Sequence, residues 1–92
     1  MERWISAFLD ARAAEADAAL NTRLGYGRDL LDLAAWLAGR GGHFATADRA
    51  GIEEYLVACA ARGLSRATRA RRLSSIRQLY RFAHAEGWCA ID

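Results

Sequence analysis

The chain has no proline and no lysine, only one valine, and no apolar run approaching the ~18 residues of a membrane-spanning helix. Without proline, only glycine interrupts helices here, and with so few β-branched residues a sheet is not expected. The two cysteines, Cys59 and Cys89, stand thirty residues apart with no C-x-x-C and no neighbouring pair of histidines. That spacing indicates neither a disulfide framework nor a zinc site. His43 and His84 are isolated and read as a loop and a helix-surface histidine, so no metal and no cofactor are expected. The opening MERWISAFLD carries Glu2 and Asp10 among its apolar residues and lacks a cleavage site. These absences predict a cytoplasmic location and no contact with a membrane.

What is present is a 92-residue chain with a net charge of +2. A chain of that length forms one domain, residues 1–92, that buries roughly 60–65% of the surface its unfolded form exposes. The charge is unevenly placed. From Tyr55 to Ala85 there are seven arginines and no acidic residue, so this stretch alone carries +7 and the remainder sums to −5. Every basic residue is arginine, a choice that codon usage is one way to account for; codon usage does not account for the placement.

Apolar residues recur at spacings of three and four along the whole chain, which predicts an all-α fold of four helices. The first runs from about Arg3 to Glu15, with Trp4, Ile5, Phe8 and Leu9 on one face. The second spans about Leu20 to Ala38, with Tyr26, Leu30, Leu33, Trp36 and Leu37 in its apolar stripe, and GRGG ends it. Thr46 or Asp48 caps the third, about Arg49 to Arg62, which turns Ile52, Tyr55, Leu56 and Cys59 inward. Gly63 breaks the chain, Leu64 plugs the core, and Ser65 caps a fourth helix that reaches about Glu86. At 1.5 Å per residue that helix is roughly 33 Å long.

The fourth helix raises the functional question. Leu73, Ile76, Leu79, Tyr80 and Ala83 share one side, continued toward the N-terminus by Arg69 and Arg72. Its first two turns are therefore expected to project beyond the core, where Arg66, Arg69 and Arg72 meet a partner. The opposite side carries Thr68, Arg71, Ser75 and Gln78, short polar groups flanked by guanidiniums. Short groups let a helix approach a surface closely, and guanidiniums fork onto phosphate oxygens or a guanine edge, the mixture that the major groove of DNA accepts. On the second helix Thr22, Gly25 and Arg28 form another line. Gly25 and Gly27 each cost about 1 kcal/mol relative to alanine inside a helix. Either their missing side chains admit a phosphate backbone, or they are tolerated substitutions or contacts with a neighbouring helix.

The string T-x3-Y-x2-D-L-x5-W, here Thr22, Tyr26, Asp29, Leu30 and Trp36, followed by GLSRATRARRLSSIRQLYRFAHAEGW, resembles the N-terminal core-binding domain of tyrosine site-specific recombinases. The likeness covers essentially the whole chain and is to the Xer family, its XerD-like members more than its XerC-like ones. It implies a SAM-like, orthogonal four-helix bundle forming one jaw of a C-shaped clamp around duplex DNA, with the second and fourth helices near the major groove. By resemblance, Thr22, Gly25, Arg28, Ala67, Thr68, Arg71 and Ser75 occupy DNA-facing positions. Leu24 stands where relatives can carry a basic residue, and Ala19 where a serine-type cap is usual.

The resemblance also places the family's chemistry elsewhere. Cleavage by a tyrosine nucleophile, with two arginines, a lysine and histidines, belongs to a separate C-terminal domain expected soon after Asp92. Tyr26, Tyr55 and Tyr80 fall on or beside apolar stripes and read as core aromatics, so no catalytic residue is expected in this chain. The implied partners are double-stranded DNA, that catalytic domain, and sister recombinase subunits in a tetramer that resolves chromosome dimers before cell division. Two other functions fit a basic helical chain: a helix-turn-helix regulator, because RGLS joins helices three and four tightly, and a protein-interaction bundle pairing through charged faces.

Overall fold

The computed structural model describes residues 2–14 and 20–89. Among these the elements are α1 (Glu2–Ala13), α2 (Leu20–Gly39), α3 (Arg49–Ala61) and α4 (Arg66–Ala85), with no strand. The all-α expectation holds, with boundaries close to those read from the sequence. Glu15, expected to end the first helix, and the cap position Ala19 lie outside the described residues.

Local chemistry sets the boundaries. Asp48 caps α3, its Oδ1 accepting the Gly51 N–H at 2.8 Å. Thr46 instead closes a turn with His43, its Oγ1 lying 3.1 Å from both the backbone nitrogen and the carbonyl oxygen of that residue. Ser65 caps α4 by accepting the Thr68 N–H at 3.1 Å. At the end of α3, Gly63 takes φ +85°, the left-handed region that only glycine enters cheaply. This lets the Leu64 N–H return to the Cys59 carbonyl at 3.1 Å and turns the Leu64 side chain onto the core. Gly87 acts similarly after α4: at φ +78° it brings the Trp88 N–H to the Ala83 carbonyl and sets Trp88 against Trp4 of α1, ring centroids 5.3 Å apart.

The core draws on every helix. Ile5 and Phe8 from α1, Leu30, Leu33 and Leu37 from α2, Tyr55 and Cys59 from α3, and Ile76, Leu79 and Tyr80 from α4 are buried together. α1 packs on α2 and α4, and α3 packs on α4. Phe44, in the connection between α2 and α3, is also buried, and the Tyr80 hydroxyl donates to its carbonyl at 2.6 Å. Nothing in GGHFATAD has a helical period, so sequence pattern did not mark that ring as core. The two helix-interior glycines have different surroundings. A Cβ on Gly27 would meet Leu9 Cδ1 at 3.2 Å, so α1 fits against α2 there, whereas a Cβ on Gly25 would meet nothing within 4 Å among the described residues.

Ile76→Ala should therefore cost roughly 2–5 kcal/mol of unfolding free energy through lost burial and the cavity left behind. Arg66→Ala, on an exposed residue of the same helix, should stay within about 0.5 kcal/mol. Urea unfolding followed by circular dichroism measures both; equal losses would contradict this assignment of the faces of α4.

Candidate nucleic-acid interface

α2 and α4 meet along a polar seam inside an otherwise apolar bundle. Gln78 Nε2 donates to the Tyr26 hydroxyl at 3.2 Å. One turn further along α2, Asp29 accepts from Arg71 through Nη2 at 2.9 Å and Nε at 3.1 Å, with Ser75 Oγ at 3.3 Å. A turn beyond that, Asp32 accepts from Arg72 Nη1 at 2.6 Å.

The third helix closes the inner end of the seam. The Tyr55 hydroxyl donates to Asp32 Oδ2 at 2.6 Å and accepts from Arg72 Nη1 at 3.0 Å, while Arg62 reaches both Asp32 oxygens at 3.0 and 3.3 Å. Burial alone pushes the Asp32 carboxyl up, but hydrogen bonds from Arg62 and Tyr55 and the charges of Arg72 and Arg62 outweigh it and hold the group below its ordinary 3.8. Burial, with the bond to the Asp32 carboxylate, pushes the Tyr55 phenol up, and burial does the same to Tyr80. Both remain neutral phenols at physiological pH. Tyr55 and Tyr80 are buried and Tyr26 is half-buried, as expected of core aromatics.

This network corrects part of the sequence reading. Arg72 does not project beyond the core: its side chain is only 14% exposed and is held by Asp32 and Tyr55. Arg69, also expected to project, is half-buried and donates from Nε to the Leu64 carbonyl at 3.3 Å. Ser75 is not on an outward stripe; it is fully buried, 3.2 Å from the Arg71 carbonyl as well as beside Asp29. The causes differ: α2 presents Asp29 to the stripe of α4 that helical period marks as solvent-facing and so draws Ser75 inward, Asp32 meets Arg72 on the apolar side of α4, and Arg69 on that same side turns back to a backbone carbonyl. A carboxylate one turn before Leu33 and Trp36 on the packing side of α2 was the available signal.

The remaining candidates differ in where they lie on the two helices. Helical geometry puts Thr22 and Gly25 on the same face of α2 as Asp29, and Ala67 and Thr68 on the same face of α4 as Arg71. Thr22, Arg28, Arg66 and Ala67 are exposed; Gly25 and Thr68 are half-buried, and the Thr68 hydroxyl accepts from Ser65 Oγ at 3.0 Å. Arg71 is both held by Asp29 and 55% exposed. Arg28, Arg66, Arg77 and Arg81 have no carboxylate partner among the described residues. Arg77 and Arg81 stand apart from the seam, lining a groove of about 580 Å³ beside α1 and another of about 510 Å³ beside α3. Leu24 is exposed next to Gly25. No helix among the described residues is long and apolar enough to cross a membrane.

The described residues form a four-helix bundle whose second and fourth helices meet through paired aspartates and arginines, and comparison with known proteins gives its class. Residues 5–87 match the family described as phage integrase, N-terminal SAM-like domain, and the chain belongs to that family. It is 48% identical over 91 residues to the tyrosine recombinase XerD of Caulobacter vibrioides, covering 99% of this chain and 30% of that protein. It is 42% identical over 83 residues to tyrosine recombinase XerD of Agrobacterium fabrum, covering 90% of this chain and 25% of that one, and 47% identical over 76 residues to the protein of that name in Bradyrhizobium diazoefficiens, covering 82% and 24%. The XerD-like resemblance read from the sequence agrees with these names. The chain spans less than a third of the length of these relatives. No solved structure matches it.

Because the Asp32 carboxyl is depressed in the folded state, it contributes stability that is complete above its ordinary 3.8 and is lost as pH falls through the lower folded value. Melting temperature should therefore decline on acidification below pH 3.8, and Asp32→Asn should be less stable at neutral pH but decline less over that acid range. Parallel melting curves for the two proteins would contradict the network.

Proposed function

We propose that this chain is a single DNA-binding domain, the N-terminal core-binding module of a tyrosine site-specific recombinase, and that it clamps duplex DNA along the α2–α4 seam. Thr22, Gly25 and Arg28 on one side and Arg66, Ala67, Thr68 and Arg71 on the other form the contact surface. Arg69 contributes charge from its half-buried position, while Arg72 and Ser75 act from behind by holding the seam together. Arginines here supply phosphate contacts and register, and Arg71 and Thr68 are placed to meet base edges.

The observation that carries this reading is Gly25. It sits inside a twenty-residue helix, one turn before Asp29, with nothing among the described residues that a methyl group would touch. Helix stability disfavours glycine there by about 1 kcal/mol, and no packing among the described residues accounts for it. An approaching phosphate backbone does, because it needs the space that a side chain would fill.

By analogy with the XerD proteins it resembles, the chain works with a separate C-terminal catalytic domain and sister recombinase subunits in the cytoplasm, in a tetramer that resolves chromosome dimers. Its own tyrosines are buried or hydrogen-bonded within the bundle, so strand cleavage and joining fall to that other domain.

Two measurements on duplex DNA test the reading. With about four to six phosphate contacts, log K should fall against log salt with a slope of about −4 to −5. Gly25→Ala should raise unfolding free energy by up to about 1 kcal/mol while weakening duplex binding. A slope near zero, or a stabilised Gly25→Ala variant with unchanged affinity, would contradict DNA contact at this seam.

A further inference from the structure

Asp29 is an acidic residue in the middle of a surface proposed to bind a polyanion, and its side chain is only 2% exposed. A carboxylate so placed repels phosphate and is costly to desolvate, so its position calls for an account beyond packing. Its geometry provides one. Oδ1 and Oδ2 take the Nη2 and Nε hydrogens of Arg71, the inner edge of the guanidinium. Ser75 Oγ lies 3.3 Å from Oδ2, and Arg72 Nε, 3.6 Å from Oδ1, adds charge attraction without a hydrogen bond.

That fork uses one edge of Arg71 and leaves the other. Nη1 and the outward hydrogen of Nη2 point away from Asp29, on a side chain that remains 55% exposed. Two parallel N–H groups in a plane match a pair of acceptors, either guanine O6 and N7 or two oxygens of a phosphate. The charge balance also permits it: Asp29 and Asp32 face Arg62, Arg71 and Arg72, so the network as a whole keeps one positive charge. An exposed arginine ordinarily loses rotamer freedom when it binds, and one already held loses less.

We infer that Asp29 is a positioning residue that pre-orients Arg71, so that the outer guanidinium edge engages paired acceptors of duplex DNA. This rests on the DNA-binding reading above. Arg72 differs in kind: at 14% exposure and bound to Asp32 and Tyr55, it has no comparable outer edge to offer.

A double-mutant cycle on duplex binding, run alongside thermal melts of each protein, tests the inference. Arg71→Ala should weaken binding by roughly fivefold or more, the lower end expected for a bidentate contact. Asp29→Asn should weaken binding in the parent chain but leave affinity almost unchanged in the Arg71→Ala background, because its effect passes through Arg71. An equal loss from Asp29→Asn in both backgrounds would overturn the inference in favour of general loosening of the bundle. Normal duplex binding that ignores Arg71→Ala would overturn it while leaving DNA binding intact, whereas a parent chain that does not bind duplex at all would remove the functional reading itself.

Should Asp29→Asn melt below the assay temperature, NMR of the unmodified chain decides. The Arg71 Nε–H should be ordered without DNA, where that of Arg66 is mobile, and the Arg71 signals should shift when duplex is added. Equal mobility, or signals that duplex leaves in place, would overturn the proposal. Duplex containing deazaguanine, which lacks the N7 acceptor, separates the two acceptor classes: an Arg71-dependent loss assigns the contact to guanine, and an unchanged affinity assigns it to phosphate.

Discussion

The bundle depends on two aspartates of α2 being met by arginines of α4. Asp29 is nearly sealed from water and Asp32 is half-buried, and neither location suits an unpaired carboxylate. Arg71, Arg72 and Ser75 answer Asp29; Arg72, Arg62 and Tyr55 answer Asp32. Removing one partner from a buried pair typically costs about 3–5 kcal/mol, far more than the pair contributes over an apolar alternative. The seam is better understood as fixing how α2 lies on α4 than as an added store of stability. Apolar contacts tolerate sliding, and a register of Tyr26 to Gln78, Asp29 to Arg71 and Asp32 to Arg72 does not.

That register sorts the arginines. In sequence the seven between Tyr55 and Ala85 look alike, an acid-free run with the partner left open. In the fold Arg62 and Arg72 are tied to Asp32, Arg69 turns back to the Leu64 carbonyl, and Arg71 is tied at one edge only. Arg66 is exposed at the start of α4, while Arg77 and Arg81 sit over grooves beside α1 and α3. The basic run therefore combines a structural group with an outward-facing one, and net charge alone does not separate them.

Much of the fold was legible from the sequence because its signals are local: glycine after α3, serine and aspartate at the caps, and apolar residues at helical spacing along α2 and α4. The family resemblance rested on a motif in α2 and on the segment from Gly63 to Trp88, and it agrees with the matched family. What was not legible depends on tertiary partners. Phe44 enters the core from an aperiodic loop, and Ser75 and Arg72 turn inward because carboxylates forty or more residues earlier in the chain lie opposite them. A helical wheel of α4 contains no information about α2. The glycines show the same limit: Gly25 and Gly27 are indistinguishable by propensity, yet a Cβ on Gly27 would meet Leu9 and one on Gly25 would meet nothing among the described residues.

The central claim is that the outer edge of the α2–α4 seam is where duplex DNA lies, and the most direct measurement maps backbone amide shifts as a short duplex is titrated into the isotopically labelled chain. The account predicts perturbations concentrated at residues 22–28 of α2 and 66–71 of α4, fading as salt is raised, with α3 and the Arg77–Arg81 turn of α4 little affected. Shifts centred on Arg77 and Arg81 with the seam silent would contradict it.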